Sequence, residues 1–295
     1  MRVFVTGASG FVGSAVVQEL LAHGHAVLGL ARSDATATAI EAAGAEVLRG
    51  SLEDHDTLRR GVAGSDGVIH LGFNHDFSRF AENCELDRGA IAAIGAALAG
   101  SSRPLLVTGG VALLAHGQLA TEEIGFKPVN PHFPRASEAA TAALVEQGVH
   151  ASLVRLAPSV HGMGDHGFVP MLADTARKQG LAAYIGDGAN RWPAVHRLDA
   201  ARLYRLALEH GAIGARYHAV AEEGVAFREI ANAIGSNLGL PVASLDKDAA
   251  TAHFGWFAMF AGMDTPTSAA QTRRILGWAP QECGLIDDIR NAGYC

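Results

Sequence analysis

The chain has 295 residues, 49% of them hydrophobic and 18% charged, with a formal net charge of −7. That length buries a sizeable core in one large or two intimate domains. The acidic balance, with no basic stripe, argues against a nucleic-acid surface, and the uncharged runs are too short for a membrane span. The opening Met-Arg-Val-Phe-Val-Thr-Gly reads as the start of a fold rather than a signal peptide, so the expectation is a cytoplasmic protein. Cys84, Cys283 and Cys295 lack Cys-x-x-Cys spacing and read as reduced thiols, neither a disulfide frame nor a zinc site.

Residues 2–6 form a β-branched and aromatic run, the composition of a buried parallel strand. Gly7, Gly10 and Gly13 then punctuate a turn that opens an apolar-periodic helix over 14–21. The first glycine allows the tight turn, the second brings backbone N–H groups to a pyrophosphate, and the third lets helix and strand pack closely. Ser9, Phe11 and Val12 complete that turn, and the positive end of the helix dipole faces the phosphates. The spacing is Gly-x-x-Gly-x-x-Gly, so the generic Gly-x-Gly-x-x-Gly fingerprint is not matched literally.

Strand signals at 26–30, 46–48, 67–71, 105–108 and 151–155 alternate with helices at 35–43, 52–62, 84–99 and 136–147. Ser51 is the expected cap of the second of these helices. The alternation predicts an α/β protein, a doubly wound parallel Rossmann sheet with helices on both faces, over residues 1–156. Residues 157–295 read as a smaller, mainly substrate-binding domain, some of whose elements return to the sheet. Helices are expected at 169–179, 198–210, 227–238 and 269–276, with a strand at 215–220. The segments 162–168 and 185–192 are glycine-rich and read as loops walling a pocket.

The opening Thr6-Gly-Ala-Ser-Gly-Phe-Val-Gly13 resembles the start of the short-chain dehydrogenase/reductase superfamily, in its extended or atypical branch. Later stretches carry the likeness in the right order across nearly the whole chain. Leu153-Val-Arg-Leu-Ala-Pro-Ser-Val-His-Gly162 resembles the "R-P-x-x-x-Y-G" segment. That resemblance implies Pro158 and Val160 beside the nicotinamide, and His161 where tyrosine is usual. Trp192-Pro-Ala-Val-His-Arg-Leu-Asp199 is similar to "V-H-V-x-D", and Leu276-Gly-Trp-Ala-Pro280 to "L-G-W-x-P".

The likeness implies a nicotinamide coenzyme, and charge bears on which. NAD-specific members place an acid at the end of the second strand, whereas this chain has Arg32 and Ser33 there. A guanidinium forks onto a phosphate and a serine hydroxyl adds a donor, so NADP(H) is preferred, with NAD(H) as the alternative. Ser51 and Leu52 fall beside the expected adenine position, and Leu71, Gly72 and Phe73 in the loop that lines the coenzyme.

The family's Tyr-x-x-x-Lys passes a proton from tyrosine while lysine lowers its pKa, and an upstream hydroxyl holds the carbonyl. Here Pro134 stands at the tyrosine position, Glu138 at the lysine position, and Gly109 and Gly110 at the hydroxyl position, with Thr108 adjacent. Candidates to take over the proton are Thr108, His116, His132 and His161, since imidazole titrates near neutral pH. Arg135, on the first turn of the same helix, is a candidate to bind coenzyme in lysine's stead. His75, Gly110, His161, His166 and Trp192 are the candidate substrate contacts. Asp187, Asn190 and Arg191 beside Trp192 offer polar anchors to a substrate. His161 and His166 lack a ligand pattern with an acid, and no metal site is expected.

The sequence therefore favours an NADP(H)-dependent oxidoreductase passing hydride to or from a small organic carbonyl or alcohol. An NADP(H)-binding sensor without turnover is the second reading, and a coenzyme-retaining epimerase or lyase the third. The expected partner is a small molecule. A homodimer through helices flanking the sheet and a monomer both fit.

Overall fold

The computed structural model of the chain describes residues 1–112, 114–125, 129 and 134–291. Short buried runs and short connections dictate the first half. It contains β1 (Arg2–Thr6), α1 (Phe11–Ala22), β2 (Ala26–Ala31), α2 (Asp34–Ala42), β3 (Glu46–Arg49), α3 (His55–Ala63), β4 (Gly67–His70), α4 (Phe80–Leu98), β5 (Leu105–Gly110), α5 (Ser137–Glu146) and β6 (Ala151–Leu156). The second half adds β7 (Ser159–His161), α6 (Phe168–Gln179), β8 (Ala182–Ile185), β9 (Arg191–His196), α7 (Arg197–His210), β10 (Arg216–Ala219), β11 (Glu222–Ala226) and α8 (Phe227–Leu238). It ends with β12 (Val242–Leu245), α9 (Lys247–Phe254), α10 (Ala258–Ala261), α11 (Ala270–Leu276) and α12 (Leu285–Asn291).

Seven strands form one parallel sheet in the order β10-β6-β5-β4-β1-β2-β3. The order reverses between β1 and β4, where Thr6 lies opposite His70. Crossover connections leave those two strands in opposite directions, which opens a crevice at their carboxyl ends. One face of the sheet packs Val16, Leu20 and Leu203 of α1 and α7, and the other packs Leu58, Ile91 and Leu144 of α3, α4 and α5. The chain leaves the sheet after β6 and returns as β10, pairing Tyr217 with Val154. Between and after these strands, β11-β9-β7 and β12-β8 make two smaller sheets around a third core that holds Trp192, Phe227 and Ile230.

Three expectations need correction. The helix expected over 52–62 behind Ser51 is α3, and its cap is Asp54, whose carboxylate accepts from Thr57 N at 3.0 Å. A carboxylate is the stronger acceptor at a helix start, which frees Ser51 and Leu52 for the preceding turn. The strand expected to stop at 108 continues through Gly109 and Gly110, which pair with Arg155 and Leu156. The loop expected over 185–192 ends at Asn190, because Arg191 and Trp192 open β9. Among the described residues, no helix is long and apolar enough to cross a membrane.

Candidate active site

The crevice at the sheet reversal is built from glycines that accept no side chain. Gly7 has φ +70°, and a Cβ there would lie 2.8 Å from Gly72 N and 2.9 Å from the Leu71 carbonyl carbon. A Cβ on Gly13 would lie 1.9 Å from Gly7 O. The strand, the helix and the loop after β4 therefore meet backbone to backbone. Gly10 caps α1 in extended conformation and no side chain bonds the first turn. A helix start without a side-chain cap leaves its first amides available, which is what a pyrophosphate requires. These residues fit a dinucleotide. Ser9 is exposed at the lip, Leu52 packs at the position of a Gly72 side chain, and Ser51 is half-buried. Arg32 is exposed just past β2, whereas the Ser33 hydroxyl is committed to a reciprocal cap with Thr36. Beside them Arg49 pairs with Asp34 at 2.7 Å.

Beneath the cradle runs a buried polar chain. Thr6 Oγ1 accepts from Gly72 N at 3.0 Å and lies 2.9 Å from His70 Nδ1. His70 Nε2 lies 3.0 Å from Asp87 Oδ1, and Ser137 Oγ donates to Asp87 Oδ2 at 2.6 Å. Arg135 Nε donates in turn to Ser137 Oγ at 3.1 Å. The pattern is satisfied with the proton on His70 Nε2 and Nδ1 accepting from Thr6. Burial alone would raise the Asp87 pKa, but the His70 hydrogen bond and charge, then Arg135 and Ser137, outweigh it and hold the carboxyl below its ordinary value. Asp87 and Ser137 were not singled out from sequence as functional. A lone aspartate among the buried Cys84, Ala90 and Ile91 of one helix was the available signal.

The head of α5 has been rebuilt. Glu138, at the lysine position, takes Arg155 Nε and Nη2 on its two oxygens at 3.1 and 2.7 Å. Arg155 is fully buried and its Nη1 donates to His218 Nε2 at 3.2 Å, while His218 Nδ1 lies 2.8 Å from Ser268 O. A Cβ on Gly109 would lie 3.2 Å from Glu138 Oε1, so the glycine at the hydroxyl position makes room for the glutamate. Thr108 donates to His70 O at 2.8 Å and shares a 2.8 Å bond with the Tyr204 hydroxyl, whose pKa burial pushes up. Its hydroxyl is thereby occupied.

The remaining candidates divide into those at the crevice and those away from it. Arg135 stacks on Phe73 at 4.2 Å, and its Nη2 reaches Thr108 O at 3.5 Å. His75 packs edge-on to Phe73 at 5.2 Å, and His166 edge-on to Phe11 at 5.8 Å, so both imidazoles flank the cradle. Desolvation first, then the charges of Arg135 and His166, push the His75 pKa below its ordinary value. His161 is buried against α12, with Nδ1 2.8 Å from Asp288 Oδ2 and Nε2 without a partner. His116 is exposed next to the Gly117–Asp264 hydrogen bond, and His132 lies outside the described residues. Gly110 is exposed at the end of β5, and Val160 is half-buried in β7. Among the described residues no group of three His, Cys, Asp or Glu side chains is placed to hold a metal ion.

Pro158 borders a tightly closed apolar cleft whose lining also includes Phe168, Trp192 and Phe260. Trp192 is a wall of this cleft rather than an exposed contact, being 1% accessible, with its indole N–H donating to Phe260 O at 3.2 Å.

A parallel sheet with a glycine cradle at its reversal defines a Rossmann-type dinucleotide-binding protein. The chain belongs to the NAD dependent epimerase/dehydratase family, whose model matches residues 3–220. It is 50% identical, over all of both chains, to an uncharacterized protein of Schizosaccharomyces pombe. It is 31% identical to a 2-alkyl-3-oxoalkanoate reductase of Stenotrophomonas maltophilia, over 82% of this chain and 77% of that one. A dTDP-glucose 4,6-dehydratase of Streptomyces venezuelae, solved with NAD, superposes with a TM-score of 0.77 at 21% identity, covering 99% of this chain and 95% of that one. That likeness is one of fold. The family and the reductase relative together support an NAD(P)-dependent enzyme.

Proposed function

We propose that the protein is an NADP(H)-dependent reductase of a small organic carbonyl compound. The observation that carries this reading is the uncapped start of α1 beneath Gly7 and Gly13, two positions closed to any side chain. Arg32, exposed at the end of β2 with no acid beside it on the strand, supplies the charge for a ribose phosphate. Resemblance to a named 3-oxoalkanoate reductase supports a ketone as the group acted upon.

When bound, the coenzyme supplies hydride to the carbonyl carbon, and a proton on oxygen completes the alcohol. The chain's own part is position, charge and proton. Arg135, fixed over Phe73 and beside Thr108 just before α5 rather than on its first turn, places a permanent cation near the helix on which the family carries its lysine. His166 and His75, flanking Phe11 and Phe73, are the imidazoles we assign to proton delivery.

A coenzyme-binding sensor is the competing reading, and the Glu138–Arg155 pair at the former lysine position favours it. Loss of reduced-nicotinamide absorbance in the presence of 2-alkyl-3-oxoesters separates the two. The reductase reading expects NADPH consumption, an NADPH affinity that Arg32→Ala lowers roughly tenfold more than NADH affinity, and a pH-dependent fall in turnover in His166→Ala. Tight NADPH binding without consumption across the series would establish the sensor.

A further inference from the structure

The buried polar chain beneath the cradle has a direction as well as a path. Arginine only donates and a carboxylate only accepts, so a hydroxyl between them has one arrangement. Ser137 Oγ gives its proton to Asp87 Oδ2 at 2.6 Å and accepts from Arg135 Nε at 3.1 Å. Ser137 is 1% and Asp87 2% exposed, so the link is shielded from solvent. The same carboxylate anchors a second arm. Its Oδ1 lies 3.0 Å from His70 Nε2, His70 Nδ1 lies 2.9 Å from Thr6 Oγ1, and Thr6 Oγ1 accepts from Gly72 N at 3.0 Å. Gly72 is the residue whose backbone closes on Gly7, where a Cβ would lie 2.8 Å from its nitrogen. Asp87, on α4, thus stands between two groups at the crevice, the loop after β4 and the Arg135 guanidinium.

Arg135 itself is half-buried and brings its charge to the crevice. It lies at 4.2 Å on Phe73, the residue after Gly72, and its Nη2 reaches Thr108 O at 3.5 Å. Phe73 follows β4 and Thr108 is near the end of β5, so the guanidinium sits over the carboxyl ends of two strands, the edge at which α/β sheets hold their ligands. Among the described residues no carboxylate pairs with it directly, and Asp87 is met only through Ser137. Other arginines of the chain are simply neutralised on their own helix, Arg88 by Glu85 and Arg177 by Asp174. A cation fixed from three sides and left without an anion is arranged for an oxygen that arrives with a ligand.

We propose that Asp87 is a positioning residue of the coenzyme site. Through Ser137 it holds Arg135 ready for the oxygens of the nicotinamide half of the coenzyme, and through His70 and Thr6 it holds the loop that meets the glycine cradle. The assignment rests on the coenzyme part of the reductase reading and not on turnover. It also accounts for a carboxylate rather than an amide at this buried position. Ser137 and the His70 Nε2–H both need an acceptor, and an asparagine has one oxygen, so one arm would always face an N–H group instead.

The test is a double-mutant cycle on the full chain, titrated with NADPH and followed by nicotinamide fluorescence. Arg135→Ala weakens NADPH about tenfold, the loss of a charge-assisted contact. Ser137→Ala weakens it about three- to tenfold in the wild-type background. In the Arg135→Ala background it changes nothing, because the hydroxyl acts only through the guanidinium. Both variants lower the emission gained per bound NADPH. Asp87→Asn weakens NADPH at least as much as Ser137→Ala, and by less once Arg135 is alanine. Wild-type affinity in Ser137→Ala, or an equal loss in both backgrounds, would overturn the proposal, since a serine with a structural role alone shows no coupling to Arg135. The expected coupling without any ketone-dependent NADPH consumption would sink the reductase reading and leave the positioning role standing. Absence of NADPH binding by the wild type would overturn the coenzyme site and the proposal with it.

Discussion

The start of α1 and the head of α5 stand on opposite sides of the same crevice, and they differ in what fixes their residues. At α1 the constraint is backbone contact: Gly13 lies where any Cβ would sit 1.9 Å from Gly7 O. At α5 the constraint is side-chain pairing: Glu138 neutralises the wholly buried Arg155, and Gly109 leaves space for it. A phosphate cradle made from amides has no side-chain chemistry to exchange. A proton relay made from tyrosine and lysine has nothing else. The comparison teaches that the coenzyme half of such a scaffold is held by sterics, whereas its catalytic half can be converted to structure once its charges find other partners.

The largest effect should come from putting the lysine back. Glu138→Lys sets a second cation against Arg155, and breaking a buried pair costs about 3–5 kcal/mol, read as a lower denaturant midpoint. Retained stability with a gain in turnover would break the comparison, since α5 would then be a vacated relay rather than a rebuilt support. Gly13→Ala should cost about 1–3 kcal/mol by overpacking and abolish NADPH binding, measured by denaturation and titration. Normal binding would show that the cradle tolerates a methyl group and is not held by sterics.

Acid should act strongly on the α5 side. Arg155 can only donate, so His218 accepts on Nε2 and carries its proton on Nδ1, the neutral form. Burial is the first cause that lowers its pKa, and the Arg155 and Arg216 charges add to it against the Ser268 bond and Glu122. The unfolded chain therefore binds the extra proton first. This contribution is fully present above pH 6.5 and is lost as pH falls below it, by up to about 1.4 kcal/mol per pH unit. His218→Asn should flatten that slope in denaturation curves taken between pH 7 and 5. An unchanged slope would remove His218 from the account.

Much of this was legible in the sequence, and unevenly so. Alternating buried runs and terminal glycines gave the Rossmann half nearly strand by strand, because parallel strands and their crossovers obey local patterns. The cradle was readable for the same reason, as three glycines and a strand specify one turn. The smaller sheets were not readable. β8 and β12 are four-residue strands that exist only through pairing with partners 60 residues away. The site's polar chain was hidden: His70 falls inside the strand expected at 67–71, and its partner Asp87 sits a helix away. Asn190 and Arg191 were noticed for their chemistry, and only packing shows that Asn190 bonds Ala261 O and Met263 O and that Arg191 pairs with Asp264.

The central claim is that the coenzyme site survives intact beside a dismantled relay. It is tested most directly by calorimetric titration of the purified protein with NADPH and NADH. The account predicts one saturable site for NADPH, with NADH weaker. Absence of binding by either coenzyme would contradict it.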